Sequence, residues 1–284
     1  KILIMKRNFL ILCVVLIGLT SCEDMVTNVD LPASETHYVI QAYLSPEDSA
    51  VTVYVNQSDP VFGDEVDDLS WLNQAHVLIN GYELPRVSGL DYSFSVPADS
   101  FAIIPGQTYK VSLRIGTEEV CYGSCTIPLL RNESLTFDGI DSVLAEEYDG
   151  FTNYRYDARY SFIDPAGEQN FYRIGAVMTY IDPYSSQVYT YQKYIMAEDF
   201  FKDVLFDGEE YNGKLELGTM ESISSLLGLK LILYTSDSPY YFYHRAILMQ
   251  TGNDPFSEPV NVPSNVENGL GCVAGFRKYT ITAF

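Results

Sequence analysis

The chain has 284 residues, with 17 Lys and Arg against 38 Asp and Glu, and a formal net charge of −21. An acidic surface repels phosphate backbones, so this charge argues against a nucleic-acid partner. The length suits one large domain or two ordinary domains.

The first 21 residues have the organisation of a secretory signal peptide. Lys6 and Arg7 make a positive start, and the apolar run over 9–19 is shorter than the ~20 residues that a membrane-spanning helix needs. The run ends in Leu19-Thr20-Ser21-Cys22, which resembles the bacterial lipobox. We therefore predict cleavage before Cys22 and a lipid anchor on its thiol, which would hold the chain on a bilayer. The alternative is an ordinary signal followed by a chance cysteine.

Two acidic residues, Glu23 and Asp24, follow the predicted lipidated cysteine at once. In Bacteroidota-type bacteria such a pair resembles the signal that sends lipoproteins to the exterior face of the outer membrane. The alternative is a solvated acidic start to a tether. Residues 22–36 contain Pro32 and no strong periodicity, which indicates a lipidated tether that leads into the first domain.

Residues 37–128 carry the pattern of a small all-β domain. Apolar and polar residues alternate over 38–44, 51–55 and 109–115, as in strands with one buried and one solvated face. Asn80-Gly81 after the run 75–79 is a strong two-residue hairpin signal. We predict an N-terminal antiparallel β-sandwich of the immunoglobulin or transthyretin type.

The loop over 59–70 clusters hard oxygen ligands that a calcium ion could use. Its acids are Asp64, Glu65, Asp67 and Asp68. The spacing does not fit the helix-loop-helix calcium pattern. We expect a solvated loop and predict no metal site.

Three cysteines remain in the mature chain after the lipidated one. Cys121 and Cys125 fall in one predicted strand, which separates them by ~13 Å and beyond disulfide reach unless the chain turns at Gly123. Cys272 is the third, and histidine is too scarce to complete a zinc site. Buried free thiols are therefore expected.

Residues 129–284 are predicted to form a second β-rich domain with one or two short helices. The junction lies over 128–134, and strands are predicted at the ranges 154–162, 171–180, 188–195, 229–235 and 276–284. A short helix is predicted for 197–205. A second is predicted from Ser238, as N-cap, with Pro239 in the first helical position, to about Gln250 with Gly252 as C-cap.

No catalytic residue, cofactor site or nucleotide motif is predicted. The pairs Glu146-Glu147 and Glu209-Glu210 are carboxylate candidates by adjacency alone, and solvated surface is the better interpretation. The chain has 23 tyrosines, which suit both strand faces and contact surfaces. Their exposure should separate the two roles, because an exposed row indicates glycan or partner contact and a buried row indicates core.

Six segments carry a family resemblance: Cys22–Pro32, Tyr38–Leu44, Pro105–Val111, Thr126–Pro128, Asp254–Phe256 and Val266–Gly271. Together they resemble a Bacteroidota outer-membrane lipoprotein family known only as a domain of unknown function. Its genes often lie beside TonB-dependent receptors of the carboxypeptidase-regulatory-like type. The resemblance covers almost the whole mature chain through short, mostly structural motifs, and Cys272 departs from the aromatic or aliphatic residue of similar chains.

The resemblance implies a surface lipoprotein that works with a TonB-dependent outer-membrane receptor or channel, and it implies no catalytic residue. From this we expect a non-enzymatic transport accessory in nutrient capture or uptake. A stand-alone glycan- or protein-binding adhesion module is the alternative. A surface hydrolase is a third reading, which only a pocket with two facing carboxylates would support.

Overall fold

The computed structural model describes residues 35–59, 69–90, 92–148, 151–182, 184–250 and 261–284. The predicted signal peptide, Cys22, Glu23, Asp24 and most of the tether lie outside the described residues, as do the acidic residues at 60–68 and Gly252. All described residues from Thr36 onward belong to one compact unit. The unit is mainly β with one α-helix in its described part, which confirms the predicted fold class. Within these ranges no helix is both long and apolar enough to cross a membrane.

The described residues before 128 form seven strands, which include every strand predicted there. They are β1 (Tyr38–Leu44), β2 (Ala50–Gln57), β3 (Ala75–Ile79), β4 (Tyr82–Leu84), β5 (Ser93–Pro97), β6 (Thr108–Ile115) and β7 (Glu118–Thr126). The predicted hairpin joins β3 to β4. Asn80 and Gly81 have φ of 48° and 84°, the left-handed values that a tight two-residue turn requires.

Nine strands and the helix follow. They are β8 (Thr136–Tyr148), β9 (Phe151–Ile163), β10 (Phe171–Ile181), β11 (Val188–Gln192), β12 (Phe200–Lys202), β13 (Glu210–Met220), β14 (Leu226–Ser236), α1 (Ser238–Met249), β15 (Val266–Glu267) and β16 (Leu270–Thr282). The predicted hairpin of the ranges 171–180 and 188–195 is confirmed by the antiparallel pairing of β10 with β11. Four of these strands, β8, β12, β13 and β15, were not predicted.

Three sheets organise these strands. An eight-stranded sheet has the order β11-β10-β14-β16-β1-β2-β5, with β12 also paired to β10; the other two sheets are β13-β9-β8 and β15-β7-β6-β3-β4. The largest sheet thus draws strands from both sides of the junction predicted near residue 128. The division into domains 37–128 and 129–284 remains a prediction.

The described strands within residues 37–128 pair with one another antiparallel, as predicted, whereas the central pairing of the large sheet, between β1 and β16, is parallel. β16 runs parallel to β1 from Val39 opposite Leu270 to Leu44 opposite Gly275. A side chain at Gly271, whose φ is 111°, would collide with the carbonyl oxygen of Ile40. Glycine at this position therefore permits the close approach of the two backbones.

Three buried clusters fill the unit. The first is formed by residues between 40 and 127 together with Val266 and Val273, and the second by residues between 135 and 233. The third lies under α1 and includes Cys272 and Phe276. β16 contributes to the first and third clusters and packs Tyr279 against the second, so the chain's last strand ties the unit together.

The helix predicted for 197–205 is wrong. Residues Ala197–Asp199 and Asp203–Leu205 form single 3₁₀ turns on either side of the short strand β12. β12 pairs with β10, and the Phe201 ring stacks on Tyr211 with centroids 4.7 Å apart. These long-range contacts override a local helical pattern.

The second predicted helix is confirmed, but its N-cap is Asp237 and not Ser238. The Oδ1 of Asp237 accepts the backbone N–H of Tyr240 at 3.0 Å. Its Oδ2 accepts the N–H of Gly275 on β16 at 2.9 Å. One carboxylate therefore both caps α1 and joins the helix to the sheet.

Candidate functional site

The predicted site residues Cys22, Glu23 and Asp24 lie outside the described residues, so their predicted roles stay predictions. The remaining cysteines are described: Cys121, Cys125 and Cys272 are all buried and free, which confirms the expectation. Burial raises the pKa of Cys121 to about 12 and raises the pKa of the other two thiols as well. These thiols are protonated at neutral pH and act as core residues.

The two glutamate pairs lie on the exposed surface. Glu146 and Glu147 lie on β8, where they face Asn153 and Thr152 of β9. Glu209 and Glu210 lie at the start of β13, and all four side chains are exposed. Adjacent residues on a strand point to opposite faces, so the two carboxylates of the β8 pair cannot converge on one substrate.

An acidic cluster that sequence analysis missed brings together Asp164, Asp203 and Asp207, whose oxygens lie within 4.8 Å of one another. The Tyr172 hydroxyl donates to Oδ1 of Asp164 at 2.6 Å, and the Gly208 N–H donates to its Oδ2 at 3.0 Å. Burial raises the pKa of Asp164. Local donors thus already satisfy this central carboxylate, which fastens the loop before β13.

Tyrosines dominate the exposed edge of the large sheet. Every residue of the edge strand β11 is exposed. Tyr189 pairs with Tyr180 and Tyr191 pairs with Met178, so the antiparallel register places these four side chains on one face of the β10–β11 hairpin. Tyr194, just beyond the strand, is 90% exposed. By the exposure criterion of the sequence analysis, this row indicates a contact surface.

The turn of the hairpin holds a further ring in place. Oδ1 of Asp182 accepts the backbone N–H groups of Tyr184 and Ser185, both at 2.8 Å, and these bonds lower the pKa of Asp182. The Tyr184 hydroxyl in turn donates to Oε1 of Glu221 at 2.9 Å. This bond links the hairpin turn to the chain directly after β13 and raises the pKa of Tyr184.

A cavity of about 330 Å³ opens beside this face. Its lining comes from the hairpin, from the end of β13 and from its neighbours: Asn153, Tyr180, Tyr184, Tyr191, Leu217, Gly218, Thr219, Met220, Glu221 and Ser225. This volume lies at the small end of the ~300–1,000 Å³ range of ligand pockets. Sequence analysis gave no signal for this cavity, because β13 was not predicted and the two strands that frame it belong to different sheets.

The lining of this cavity is polar and aromatic, and its charged groups make it negative. Its lining contains one carboxylate, Glu221, and no Lys, Arg or His. Burial, together with the nearby Tyr180, raises the pKa of Tyr191. The hydroxyls of Tyr184 and Tyr191 thus remain neutral donors and acceptors at neutral pH, and nothing in the lining offers a positive charge to an anion.

A second cavity, of about 400 Å³, lies along α1. Phe242, Arg245 and Met249 line it from the helix, and Asn265 and Cys272 line it from the sheet side. The Asn265 side chain already bonds the carbonyl of Val273 at 2.7 Å and that of Ser124 at 3.0 Å. With its amide committed to the fold, this cavity shows less recognition chemistry than the tyrosine-lined one.

One side of α1 packs into the core. Tyr240, Tyr241 and Tyr243 are buried against the large sheet. Burial and, to a smaller extent, the nearby Arg173 guanidinium lower the pKa of His244 to about 4. Arg173 itself is buried with its guanidinium 3.6 Å from the centroid of Tyr234, an arrangement suited to cation–π attraction.

Comparisons with known proteins place the chain by family. No curated protein sequence matches it. A family model described as Domain of unknown function (DUF4249) matches residues 26–282, which is almost everything after the predicted cleavage point. The chain therefore belongs to the DUF4249 family of unknown function.

Proposed function

We propose that the chain is a bacterial surface lipoprotein of Bacteroidota type, anchored to the outer membrane through Cys22. There it serves as a non-enzymatic accessory of a TonB-dependent transporter in nutrient capture or uptake. The observation that carries the proposal is the sequence Leu19-Thr20-Ser21-Cys22 followed by Glu23 and Asp24. The sequence resemblance to lipoproteins encoded beside TonB-dependent receptors supports the choice of partner.

The exposed hairpin gives the accessory role a plausible contact surface. Large, rigid aromatic side chains at protein interfaces give much contact area at a small entropic cost. Tyr184 and Tyr194 are 79% and 90% exposed. An edge strand with unpaired backbone groups, such as β11, also offers hydrogen bonds to a partner strand.

The partner is tested by purifying the native protein from outer membranes of its own host. The expected result is co-purification of a TonB-dependent receptor identified by mass spectrometry. The Cys22→Ser protein, which keeps the folded part but lacks the lipid, is the matched control and should leave the membrane fraction. Recovery of the native protein without any such receptor would contradict the accessory role.

The orientation is tested separately by protease treatment of intact cells. The wild type should be digested from outside. The double variant Glu23→Ala, Asp24→Ala should keep its lipid and its membrane fraction but become protected, because the proposed export signal is gone. Equal digestion of both proteins would show that these acids do not direct export.

A second candidate, a stand-alone binding module, is favoured by the tyrosine-lined cavity. Binding of a ligand by the isolated protein would be sufficient for this function. The two candidates differ in the need for a channel: a receptor-deletion strain should lose uptake in the first case, whereas surface attachment to the ligand should persist in the second.

A further inference from the structure

We propose that the cavity beside the β10–β11 hairpin binds a neutral saccharide through the faces of Tyr180, Tyr184 and Tyr191. This inference deepens the proposed function, because it names the class of cargo, and the role of the saccharide as cargo rests on that function. The binding step itself needs no transporter.

The first argument is the arrangement of the rings. The three tyrosines reach the cavity from a strand end, a turn and an edge strand, at separations of four to seven residues along the chain. Among the described residues, no two of these three rings contact each other, although ring contacts are frequent in the core. Because these rings line the cavity and do not pack on one another, they can offer faces to a ligand with apolar faces of its own, which the C–H groups of a pyranose ring provide.

The second argument is the polar part of the lining. Asn153, Thr219, Glu221 and Ser225 surround the rings. Carboxamide, hydroxyl and carboxylate groups together supply donors and acceptors, which is the mixture that a ligand rich in hydroxyl groups requires. Glu221 already accepts the Tyr184 hydroxyl, and a purely apolar ligand would exclude water from the other polar groups of the lining at a cost in free energy.

The third argument is charge. A lining with one carboxylate and no cation, on a chain of net charge −21, repels phosphates, sulfates and uronic acids. Charge does not separate a neutral ligand from a cation, which tyrosine faces and a carboxylate also attract, so choline serves as the competing probe in the test. The separated rings and the cavity volume of about 330 Å³ favour a larger, uncharged ligand.

The test uses the full chain, purified in a detergent without a sugar headgroup. The probes are three neutral disaccharides (maltose, cellobiose and lactose), galacturonate as an anion and choline as a cation. Saturation-transfer NMR identifies the ligand protons in contact with the protein, and isothermal titration calorimetry gives the affinity. The expected result is binding of at least one neutral disaccharide through its ring C–H protons, and no binding of galacturonate or choline.

Variants then assign the site. Tyr191→Ala and Tyr184→Ala should each weaken binding by about tenfold, because each removes one stacking face. Tyr191→Phe keeps the face and should retain most of the affinity. Tyr189→Ala is the matched control, since Tyr189 lies on the same strand and face, is 48% exposed and does not line the cavity. Its effect should stay within about twofold.

Three results would overturn the proposal. One is that none of the neutral disaccharides binds. Another is that galacturonate or choline binds at the tyrosines in their place. The last is that Tyr191→Ala and Tyr184→Ala, with unchanged melting temperatures, bind as the wild type does. None of these results bears on receptor co-purification, so failure of the saccharide site is distinguishable from failure of the accessory role.

Discussion

Two tyrosine-rich regions of this chain differ in the exposure of their side chains. In α1 the side chains of Tyr240, Tyr241 and Tyr243 are between 4% and 7% exposed, whereas Tyr189 and Tyr191 of β11 are 48% and 42% exposed. Both segments are rich in aromatic residues in the sequence. The difference arises from what covers them, since the helix lies on the large sheet and β11 has a neighbour on one side only. Aromatic composition therefore indicates contact area, and topology decides whether the contact is internal or external.

The largest expected effect comes from Tyr172, a buried tyrosine of β10 that belongs to the second cluster. Tyr172→Ala should lower the free energy of unfolding by about 4 kcal/mol, because the ring is fully buried and its hydroxyl bonds Asp164. Urea denaturation measures the loss, with Tyr189→Ala as the exposed control. A loss below about 1 kcal/mol would show that the second cluster is not packed as described.

The covered face of α1 should also give a pH dependence. The folded pKa of His244 is about 4 against an ordinary value of 6.5, so the folded chain resists its protonation. Above pH 6.5 the imidazole is neutral in both the folded and the unfolded chain, so it does not change the free energy of unfolding. As the pH drops from 6.5 towards 4 the unfolded chain takes up a proton that the folded chain resists, and stability should fall. Over this window the wild type should lose roughly 3 kcal/mol more than His244→Phe. Parallel pH profiles of the two proteins would mean that the face is open to water.

The attachment of α1 to the sheet should be weaker than the packing beneath it. Asp237→Ala removes the acceptor for the N–H groups of Tyr240 and Gly275 and should cost about 2 kcal/mol at pH 4. At this pH the raised pKa of about 7 leaves the folded carboxyl protonated, so relief of a buried charge does not offset the loss. Ser238→Ala, at the position that the sequence suggested as N-cap, should change stability by less than about 0.5 kcal/mol. The reverse ranking would restore Ser238 as the cap.

The smallest effect on stability is expected at Tyr191, on the exposed edge strand β11. Tyr191→Ala should change the free energy of unfolding by less than about 0.5 kcal/mol, because the residue is 42% exposed and belongs to none of the three buried clusters. Thermal unfolding of this variant beside Tyr184→Ala checks the expectation. A large destabilisation of either protein would mean that the hairpin face is part of the core and not a contact surface.

Local patterns predicted the regular elements and failed where partners distant in sequence decide the structure. The alternation over 38–44 and the turn at Asn80-Gly81 carry their structure in a few residues, and both predictions are confirmed. β8 was missed because residues 142–147, in the second half of the strand, are all exposed. A strand segment that is exposed on both faces shows no apolar alternation. In β13, Gly213 interrupts the pattern, since the Tyr160 ring fills the space that a side chain would occupy.

The candidate site was even less accessible to sequence reasoning. The abundance of tyrosine raised the question of a contact surface, but exposure depends on which strand ends the sheet. The bond between Tyr184 and Glu221 joins residues 37 positions apart, across two sheets. Such a juxtaposition follows from the fold and not from any spacing. The lipid anchor is the reverse case, because a short local motif carries the whole prediction.

The central claim is that Cys22 becomes the lipidated first residue of the mature protein. Mass spectrometry of the native protein, isolated from its host's membranes and digested, measures this directly. The account predicts an N-terminal peptide that begins at Cys22 and carries the added mass of a diacylglyceryl group. An unmodified Cys22 within a longer peptide, or an N-terminus at another residue, would contradict the account.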